Sequence, residues 1–179
     1  MNLLNQLDMT PQPRQPADLQ NLLDEVQHSP FIGEITPEEV ERLRSIDAVR
    51  FFYDGDTLVG LAAWEVIGTG WAEVGPLYTA QAYRGHGLGS FMFDMVERMH
   101  LDAGRNMYGV TKNPQVMPMF VRRGYRQIGT LALPRAIQLH LLRRLSLRKL
   151  IQHARKLRPG DSLSHYVKMC DPDQAPRTT

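Results

Sequence analysis

Three glycines at alternate positions, Gly85, Gly87 and Gly89, stand directly before an amphipathic helical pattern in the stretch AYRGHGLGSFMFDMVERM, residues 82–99. Because glycine has no side chain, such a turn lets another group approach the backbone closely. The first turn of a helix adds outward-pointing N–H groups and the positive end of the helix dipole. The stretch therefore predicts a strand-to-helix turn that binds an anion, and a plain glycine-rich turn is the alternative.

Two common phosphate-binding loops do not match this stretch. A P-loop has Gly-Lys followed by Ser or Thr, and the stretch contains no lysine. A dinucleotide-binding fingerprint, G-x-G-x-x-G, would place its third glycine at Ser90, and it would stand near the start of a βαβ unit rather than after hairpin strands. The remaining ligand is a pyrophosphate held by the N–H groups of the helix start.

The first half of the chain predicts two helices followed by three strands. PADLQNLLDEVQ has apolar residues at helical spacing, and TPEEVERLRSID offers Thr36 as an N-cap before Pro37. AVRFFYDGDTLVGLAAWEVIG predicts two strands joined at Asp54-Gly55. GWAEVGPLYTA predicts a third strand, in which Gly75 and Pro76 indicate a bulge or an edge position.

The second half alternates helices and strands. The helix after the glycines ends at Gly104, and five apolar residues fall on one of its faces: Phe91, Met92, Met95, Val96 and Met99. A strand in NMYGVTK, a short helix in NPQVMPMFVRRGY and a strand in YRQIGTLALP follow. A long basic helical insertion at 134–160 precedes a last strand in SLSHYVKMC. This order predicts a mixed α/β domain with a largely antiparallel central sheet flanked by helices.

The composition is that of a globular protein, with 42% hydrophobic and 22% charged residues. We expect a single domain over residues 1–170 and a flexible tail at 171–179. No apolar run resembles a signal peptide or a membrane span, so the sequence predicts a cytoplasmic location. Cys170 is the only cysteine, which excludes an internal disulfide and a thiolate metal cluster, and no metal is predicted.

The net charge of +2 conceals an uneven distribution of charge. Residues 1–60 contain eleven acidic residues and four Lys or Arg, whereas residues 121–160 contain eleven Lys or Arg and no acidic residue. In the segment 135–158, arginines alternate with leucines at 139, 142, 147 and 150. This segment could pack on the core by its leucines, form a lid or a homodimer contact, or bind an acidic partner, nucleic acid or a membrane interface.

Two sequence blocks resemble those of the GNAT N-acetyltransferase superfamily. The first is the family's acyl-CoA-binding pattern Q/R-x-x-G-x-G/A, met here by Arg84, Gly87 and Gly89. The second, NPQVMPMFVRRGY, is similar to a later segment in which an Asn precedes a short helix, an aromatic residue, a basic residue and Gly-Phe. Its counterparts here are Asn113, Phe120, Arg122, Gly124 and Tyr125. The resemblance extends over roughly residues 15–170 and implies a GNAT-like fold.

The resemblance also implies a set of residues that contact acetyl-CoA. Backbone amides from Gly85 to Gly89, helped by Arg84, would hold the CoA pyrophosphate, and the strand end before them would pair with the pantetheine arm. Asn113 would face the pantetheine, although a helix cap is the alternative for it. Arg122 would lie near the adenosine, with a solvated surface charge as the alternative. The full set is Leu77, Tyr78, Thr79, Arg84, Gly85, His86, Gly87, Leu88, Gly89, Ser90, Asn113, Phe120 and Arg122.

Acyl transfer to an amine requires that the amine be neutral. A lysine-like amine has a pKa near 10.4, so its deprotonation at neutral pH costs about 4.6 kcal/mol. A carboxylate acting directly or through water can take that proton. Glu73 is the candidate base, because it precedes Thr79 by six residues on the strand where several family members carry a glutamate. Glu65 on the preceding strand is the reserve, and a solvent-facing carboxylate is the alternative for Glu73.

The general acid is where the sequence departs from the family. The usual acid is a tyrosine in the second block, and Phe120 occupies that position without a proton to donate. Water, Tyr78, Tyr108 or no dedicated acid would then serve the leaving thiolate. Cys170 is expected to be a passive strand residue rather than a nucleophile. His165 and Tyr166 on the last strand are candidates for the acceptor pocket.

The sequence therefore predicts an N-acetyltransferase that moves an acetyl group from acetyl-CoA directly to a primary amine on a small molecule or a protein. The alternative is a non-catalytic module with the same fold that senses acyl-CoA or binds an anionic surface. Phe120 and the basic segment 135–158 motivate this alternative.

Overall fold

One seven-stranded sheet organises the protein. The computed structural model describes residues 3–27, 35–144 and 163–171. The strands lie in the order β1-β2-β3-β4-β5-β7-β6. Their bounds are β1 Asp8–Thr10, β2 Val49–Asp54, β3 Thr57–Ile67, β4 Trp71–Thr79, β5 Asn106–Thr111, β6 Arg126–Ile128 and β7 Ser164–Lys168.

Five α-helices accompany the sheet in the described residues. Their bounds are α1 Pro16–Gln27, α2 Pro37–Ser45, α3 Leu88–Asp102, α4 Met117–Arg122 and α5 Arg135–Arg144. Short 3₁₀ turns occupy Leu3–Gln6, Gln81–Tyr83 and Thr130–Ala132. The predicted basic insertion begins with α5, while its remainder at 145–160 and the tail beyond Asp171 lie outside the described residues.

Most strand pairs are antiparallel. β2 pairs antiparallel with β1 and with β3, and β7 does so with β5 and with β6. The pair β4–β5 is parallel, because helix α3 carries the chain from the end of one strand to the start of the other. The predicted class, a mixed α/β fold with a largely antiparallel sheet flanked by helices, is confirmed.

The third predicted strand, which contains Gly75 and Pro76, is β4, and the prediction that it could lie at an edge of the sheet is wrong. β4 is the fourth of seven strands in the sheet, with a neighbour on each side. Its parallel register with β5 runs from Trp71↔Asn106 to Glu73↔Tyr108. Pro76, which has no N–H to donate, follows this register instead of interrupting it.

The fold comprises two compact units, one within residues 1–65 and 74–99 and the other within 66–73 and 100–179. In the first unit, strands β2 and β3 pack their apolar residues against helix α3. The close approach occurs at Gly60, where an added Cβ would lie 3.1 Å from Met92 Sδ and 3.1 Å from the Tyr78 carbonyl oxygen. Gly60 therefore sets how near the helix can lie to the strand.

The buried face of α3 differs from the predicted one. Phe91 and Met99 are each 38% exposed, whereas Phe93 is fully buried beside Met92 and Val96. The apolar periodicity identified the helix correctly, but the face it predicted to be buried is shifted by about one residue. The shift arises because Met and Phe residues lie on both sides of the face that is buried. Packing against the strands selects the stripe that is buried.

The core of the second unit lies between α5 and the sheet. Its buried members are Ile67, Tyr108, Leu133, Ile137 and Val167. The alternative that the basic segment packs on the core is confirmed for α5, through Ile137 and Leu141. Of the leucines named in the sequence analysis, Leu139 is 55% and Leu142 is 63% exposed, and Leu147 and Leu150 lie outside the described residues.

Local signals for element boundaries are confirmed. The Glu39 N–H donates to Thr36 Oγ1 at 3.2 Å, which caps α2 as its sequence predicts. The hairpin between β2 and β3 turns at Gly55 with φ of 57°. Within the described parts of the chain, no helix is long and apolar enough to cross a membrane.

Candidate functional site

The glycine loop joins the end of β4 to the start of α3. Gly85 and Gly87 adopt φ values of 81° and 83°, a left-handed conformation that residues with a side chain rarely adopt. The first α3 bond runs from the Phe91 N–H to the Gly87 carbonyl oxygen at 2.9 Å. The helix therefore begins at the loop, and its first turn points N–H groups toward it.

The space over the glycine loop is open. Among the described residues, an added Cβ at Gly85 would meet no heavy atom within 4 Å, and one at Gly87 would meet only Leu4 Cδ1 at 3.9 Å. At Gly89 the nearest atom would be Thr79 Oγ1 at 3.7 Å. Because protein atoms do not crowd this surface, it leaves room for a ligand beside the backbone.

Side chains of the same unit brace the loop. Arg84 donates from Nε to the Thr79 carbonyl oxygen at 3.1 Å, and its guanidinium lies 5.8 Å from the centre of the Tyr78 ring. The Tyr78 hydroxyl donates to the Glu25 carboxylate of α1, which also accepts from the Gln81 N–H at 3.3 Å. Burial, together with the bond to Glu25, raises the pKa of Tyr78, so this tyrosine is a poor proton donor and acts as a brace.

The remaining residues predicted to contact CoA in this unit differ in exposure. His86 is exposed, whereas Leu77, Thr79 and Ser90 are partly buried. Leu88 is 1% exposed, and one of its methyl carbons lies 3.3 Å from the position of a Cβ on Gly60. Its side chain thus belongs to the core, and only its backbone can face a ligand.

Glu73 lies in the second unit, on β4. It is 6% exposed, and its Oε2 is 3.1 Å from Nε2 of His140 on α5. Both side chains are nearly covered, with exposures of 8% and 12%. His140 was not among the predicted site residues, since the two residues are 67 positions apart and no motif links them.

Tyr108 and His165 form a second buried pair beside Glu73. The Tyr108 hydroxyl and His165 Nδ1 are 2.8 Å apart, and the rings stack with centres separated by 6.0 Å. Tyr108 is the register partner of Glu73, so both side chains project from one face of the sheet. Burial lowers the pKa of His165, and the nearby Glu73 carboxylate opposes this shift. We call Glu73, Tyr108, His140 and His165 the polar cluster.

Phe120 lies on the opposite face of the sheet. It is 3% exposed, stacks on Tyr166 with ring centres 4.7 Å apart, and meets Tyr125 edge-on at 5.1 Å. Successive strand residues point to opposite faces, so of the two candidates for the acceptor pocket, His165 shares the face of Glu73 and Tyr166 packs with Phe120. Phe120 therefore fills a core position where the family's tyrosine would offer a hydroxyl.

Asn113 precedes helix α4, and Arg122 is the last residue of that helix. The Asn113 Oδ1 accepts from the Gln115 N–H at 2.9 Å, and its carbonyl oxygen accepts from the Val116 N–H at 3.0 Å. Asn113 thus turns the chain toward α4, but the N-cap of α4 is Val116, so the helix-cap alternative for Asn113 is wrong. Arg122 stands exposed at the last turn of α4.

The other two candidates have structural partners. Glu65 pairs with Arg42 of α2 at 3.0 Å. Cys170 follows the end of β7, where its N–H donates to Asn106 Oδ1 at 2.8 Å and its Sγ lies 3.4 Å from the Leu101 carbonyl oxygen. In the part of the chain that the structure describes, no three His, Cys, Asp or Glu side chains gather as metal ligands would.

The sequence of the chain matches the model of a known protein family. The profile of the acetyltransferase (GNAT) family matches residues 19–125, more than half of the chain. The chain belongs to the GNAT acetyltransferase family. The GNAT match includes the glycine loop, Glu73, Asn113 and Phe120.

Solved structures of acetyltransferases share the fold at low sequence identity. N-acetylglutamate synthase from Neisseria gonorrhoeae, complexed with coenzyme A and N-acetyl-glutamate, is similar with a TM-score of 0.68 at 12% identity over 92% of this chain and 35% of that one. This GNAT chain thus spans about a third of the synthase. Rv2747 from Mycobacterium tuberculosis, in complex with CoA, has a TM-score of 0.66 at 14% identity over 90% and 98% of the two chains. An acetyltransferase from Streptococcus agalactiae has a TM-score of 0.64 at 15% identity over 92% and 98%. No curated protein matches the sequence.

Proposed function

We propose that this protein is an N-acetyltransferase that transfers an acetyl group from acetyl-CoA to a primary amine. The observation that carries the proposal is the glycine loop, in which two left-handed glycines and open space stand at the start of α3. Membership of the GNAT family supports it. The amine acceptor is a small molecule or a protein amine.

The loop suits the pyrophosphate of CoA. Backbone N–H groups from Gly85 to Gly89 and the dipole of α3 favour an anion there, and Arg84 adds a positive charge. Leu77, Tyr78 and Thr79 are proposed to offer backbone groups to the pantetheine arm. The further contacts proposed from the family resemblance are His86, Leu88, Ser90, Asn113, Phe120 and Arg122.

Glu73 is proposed as the base that makes the amine reactive. Bound acetyl-CoA supplies a thioester, whose carbon–sulfur bond breaks as the amine nitrogen bonds to the acetyl carbon. Before this, Glu73 takes one proton from the ammonium form of the acceptor, directly or through water. The nitrogen loses a second proton when it becomes an amide. The departing thiolate takes up one proton, so these two proton transfers balance. Since Phe120 has no proton to donate, water is the simplest source of that proton.

Binding of acetyl-CoA is tested by thermal unfolding. A ligand that binds only the folded state stabilises it by RT ln(1 + [L]/Kd), which is about 2.7 kcal/mol at a hundredfold excess over Kd. We expect acetyl-CoA to raise the unfolding temperature of the wild type and not that of Gly87→Val. Gly55→Val is the matched control, since Gly55 also has a positive φ but lies in the hairpin turn. An unchanged wild-type temperature at saturating acetyl-CoA would contradict the cofactor assignment.

Catalysis is tested by release of CoA in the presence of a panel of primary amines. We expect release that depends on both acetyl-CoA and an amine, together with one acetylated amine product by mass spectrometry. Dialysed protein without an amine gives the background rate of thioester hydrolysis. If CoA were released at the same rate with and without every amine, the result would contradict acetyl transfer to an amine.

The second candidate function is an acyl-CoA sensor with the same fold. It is favoured by Phe120, which packs between Tyr166 and Tyr125 where the family places its proton donor. The exposed Leu139 and Leu142 on basic helix α5 would then contact an anionic surface. Stabilisation by acetyl-CoA without amine-dependent turnover, together with salt-sensitive binding to DNA or to anionic vesicles, would favour the sensor.

A further inference from the structure

Helix α5 places a histidine against the carboxylate that we propose as the base. His140 Nε2 lies 3.1 Å from Glu73 Oε2, and both side chains are nearly covered. A carboxylate that acts as a base is ionised and only accepts hydrogen bonds, so in that state the imidazole nitrogen is the donor. The proposed base role therefore requires the bond to run from His140 Nε2–H to Glu73 Oε2.

Packing fixes the position of the histidine. Ile137, one turn before His140, is fully buried in the core of the second unit, and Leu141 packs against the same core. Because both neighbours are held by the core, the rotation of α5 about its axis directs His140 toward the sheet. The exposed Leu139 and Leu142 stand on the other side of the helix.

The bond matters because Glu73 is buried. A buried polar group is costly to the fold unless it has a hydrogen-bond partner. The contact with His140 on one carboxylate oxygen also limits rotation of the whole group. The polar cluster supplies further neighbours, since Tyr108 shares the face of Glu73 and bonds to His165 at 2.8 Å.

We propose that His140 is a positioning residue for Glu73: its Nε2, 3.1 Å from Oε2, holds the carboxylate oriented to take the proton from the amine. This proposal rests on the proposed function. It assigns a role to the first helix of the basic segment, which supplies a fixed donor to the base. His140 itself exchanges no proton with the acceptor.

Two substitutions at His140 test the proposal in the full-length protein. His140→Leu replaces the imidazole by an apolar side chain of similar size and so removes the donor. His140→Gln keeps an N–H donor. We expect His140→Leu to lower kcat for the amine identified by the panel by up to about a hundredfold, the effect of a misplaced reacting group. His140→Gln should recover part of this loss, and the temperature shift caused by acetyl-CoA should persist in both variants.

A double-mutant cycle separates positioning from a structural role. If His140 acts through Glu73, His140→Leu should lower kcat no further in the Glu73→Gln background. A purely structural loss would add fully to that of Glu73→Gln. Ala136→Ser is the matched control, because Ala136 lies one turn before His140 on the same helix and is exposed. It should leave kcat unchanged.

A spectroscopic measurement makes the result independent of turnover. The ring N–H of His140 should give a ¹H–¹⁵N signal that moves in Glu73→Gln and not in Glu65→Gln. The positioning role would be overturned if the His140 signal were the same in Glu73→Gln and in the wild type. It would also be overturned if His140→Leu had the wild-type kcat. Neither result would contradict the proposed function. A wild type without amine-dependent CoA release would overturn both.

Discussion

Glu73 shows how the surroundings of one side chain determine what it can do. It stands on a central strand, 6% exposed, with a histidine donor at 3.1 Å and the buried pair Tyr108–His165 beside it. Glu65, the other carboxylate considered as a base, instead pairs with Arg42. Glu65 thus binds a guanidinium through its carboxylate, whereas Glu73 is buried beside His140.

At this scale we predict the effect of Glu73→Gln. The amide cannot accept a proton, so the amine-dependent rate should fall by about 10²–10⁴-fold, the usual contribution of general base catalysis. The affinity for acetyl-CoA, measured by calorimetry, should stay near that of the wild type. Glu65→Gln serves as the control and should retain its rate; if it lost the rate and Glu73→Gln kept it, the base would be Glu65.

Helix α3 approaches β3 closely at Gly60. Met92 Sδ and Leu88 Cδ2 would lie 3.1 and 3.3 Å from a Cβ on Gly60, and the backbone oxygen of Tyr78 would lie 3.1 Å away. Two of these atoms belong to side chains that can shift, but the carbonyl oxygen is part of the neighbouring strand. A side chain at Gly60 therefore crowds the backbone of β4 at Tyr78 as well as two side chains of α3.

We accordingly predict that Gly60→Ala destabilises the protein. Overpacking of a core typically costs about 1–3 kcal/mol, so the free energy of unfolding in urea should fall by that order. Gly70→Ala is the matched control, because a Cβ there would meet no described heavy atom within 4 Å. This control should be neutral or slightly stabilising. Equal loss in the two variants would mean that the approach of α3 does not require a glycine.

At the scale of the whole molecule, buried histidines make stability depend on pH. His100, in the last turn of α3, is 3% exposed. Burial and, to a lesser degree, the charge of Arg105 lower the pKa of His100 from 6.5 to about 4. Burial lowers the pKa of His165 as well. Each histidine is therefore held neutral in the folded state at pH values where the unfolded chain is protonated.

We predict that acid weakens the fold between about pH 6.5 and pH 4. Below pH 6.5 the unfolded state binds a proton at His100 that the folded state does not, so stability falls as the pH falls. This histidine alone should lower the free energy of unfolding by about 2 kcal/mol between pH 7 and pH 5. Urea unfolding at both pH values measures the difference. His100→Gln should reduce it, whereas the exposed His86→Gln should leave it unchanged.

A large part of the fold follows from local sequence. The N-cap of α2, the hairpin turn at Gly55 and the helix start after Gly87 depend on residues within a few positions of one another, and all three lie where the sequence predicts. The order of these elements was sufficient to predict a largely antiparallel sheet. The glycine loop could be recognised for the same reason, since Gly85 and Gly87 adopt the positive φ that favours glycine.

The tertiary structure alone decided which sides of the helices are buried and which distant side chains meet. Periodicity shows that α3 and α5 are amphipathic, but their rotation is set by packing, which buries Phe93 and Ile137 and leaves Met99 and Leu142 exposed. Glu73 could be proposed as a base from its position on a strand. Its partner His140, 67 residues away, could not, because that contact exists only after α5 has packed its apolar residues on the sheet.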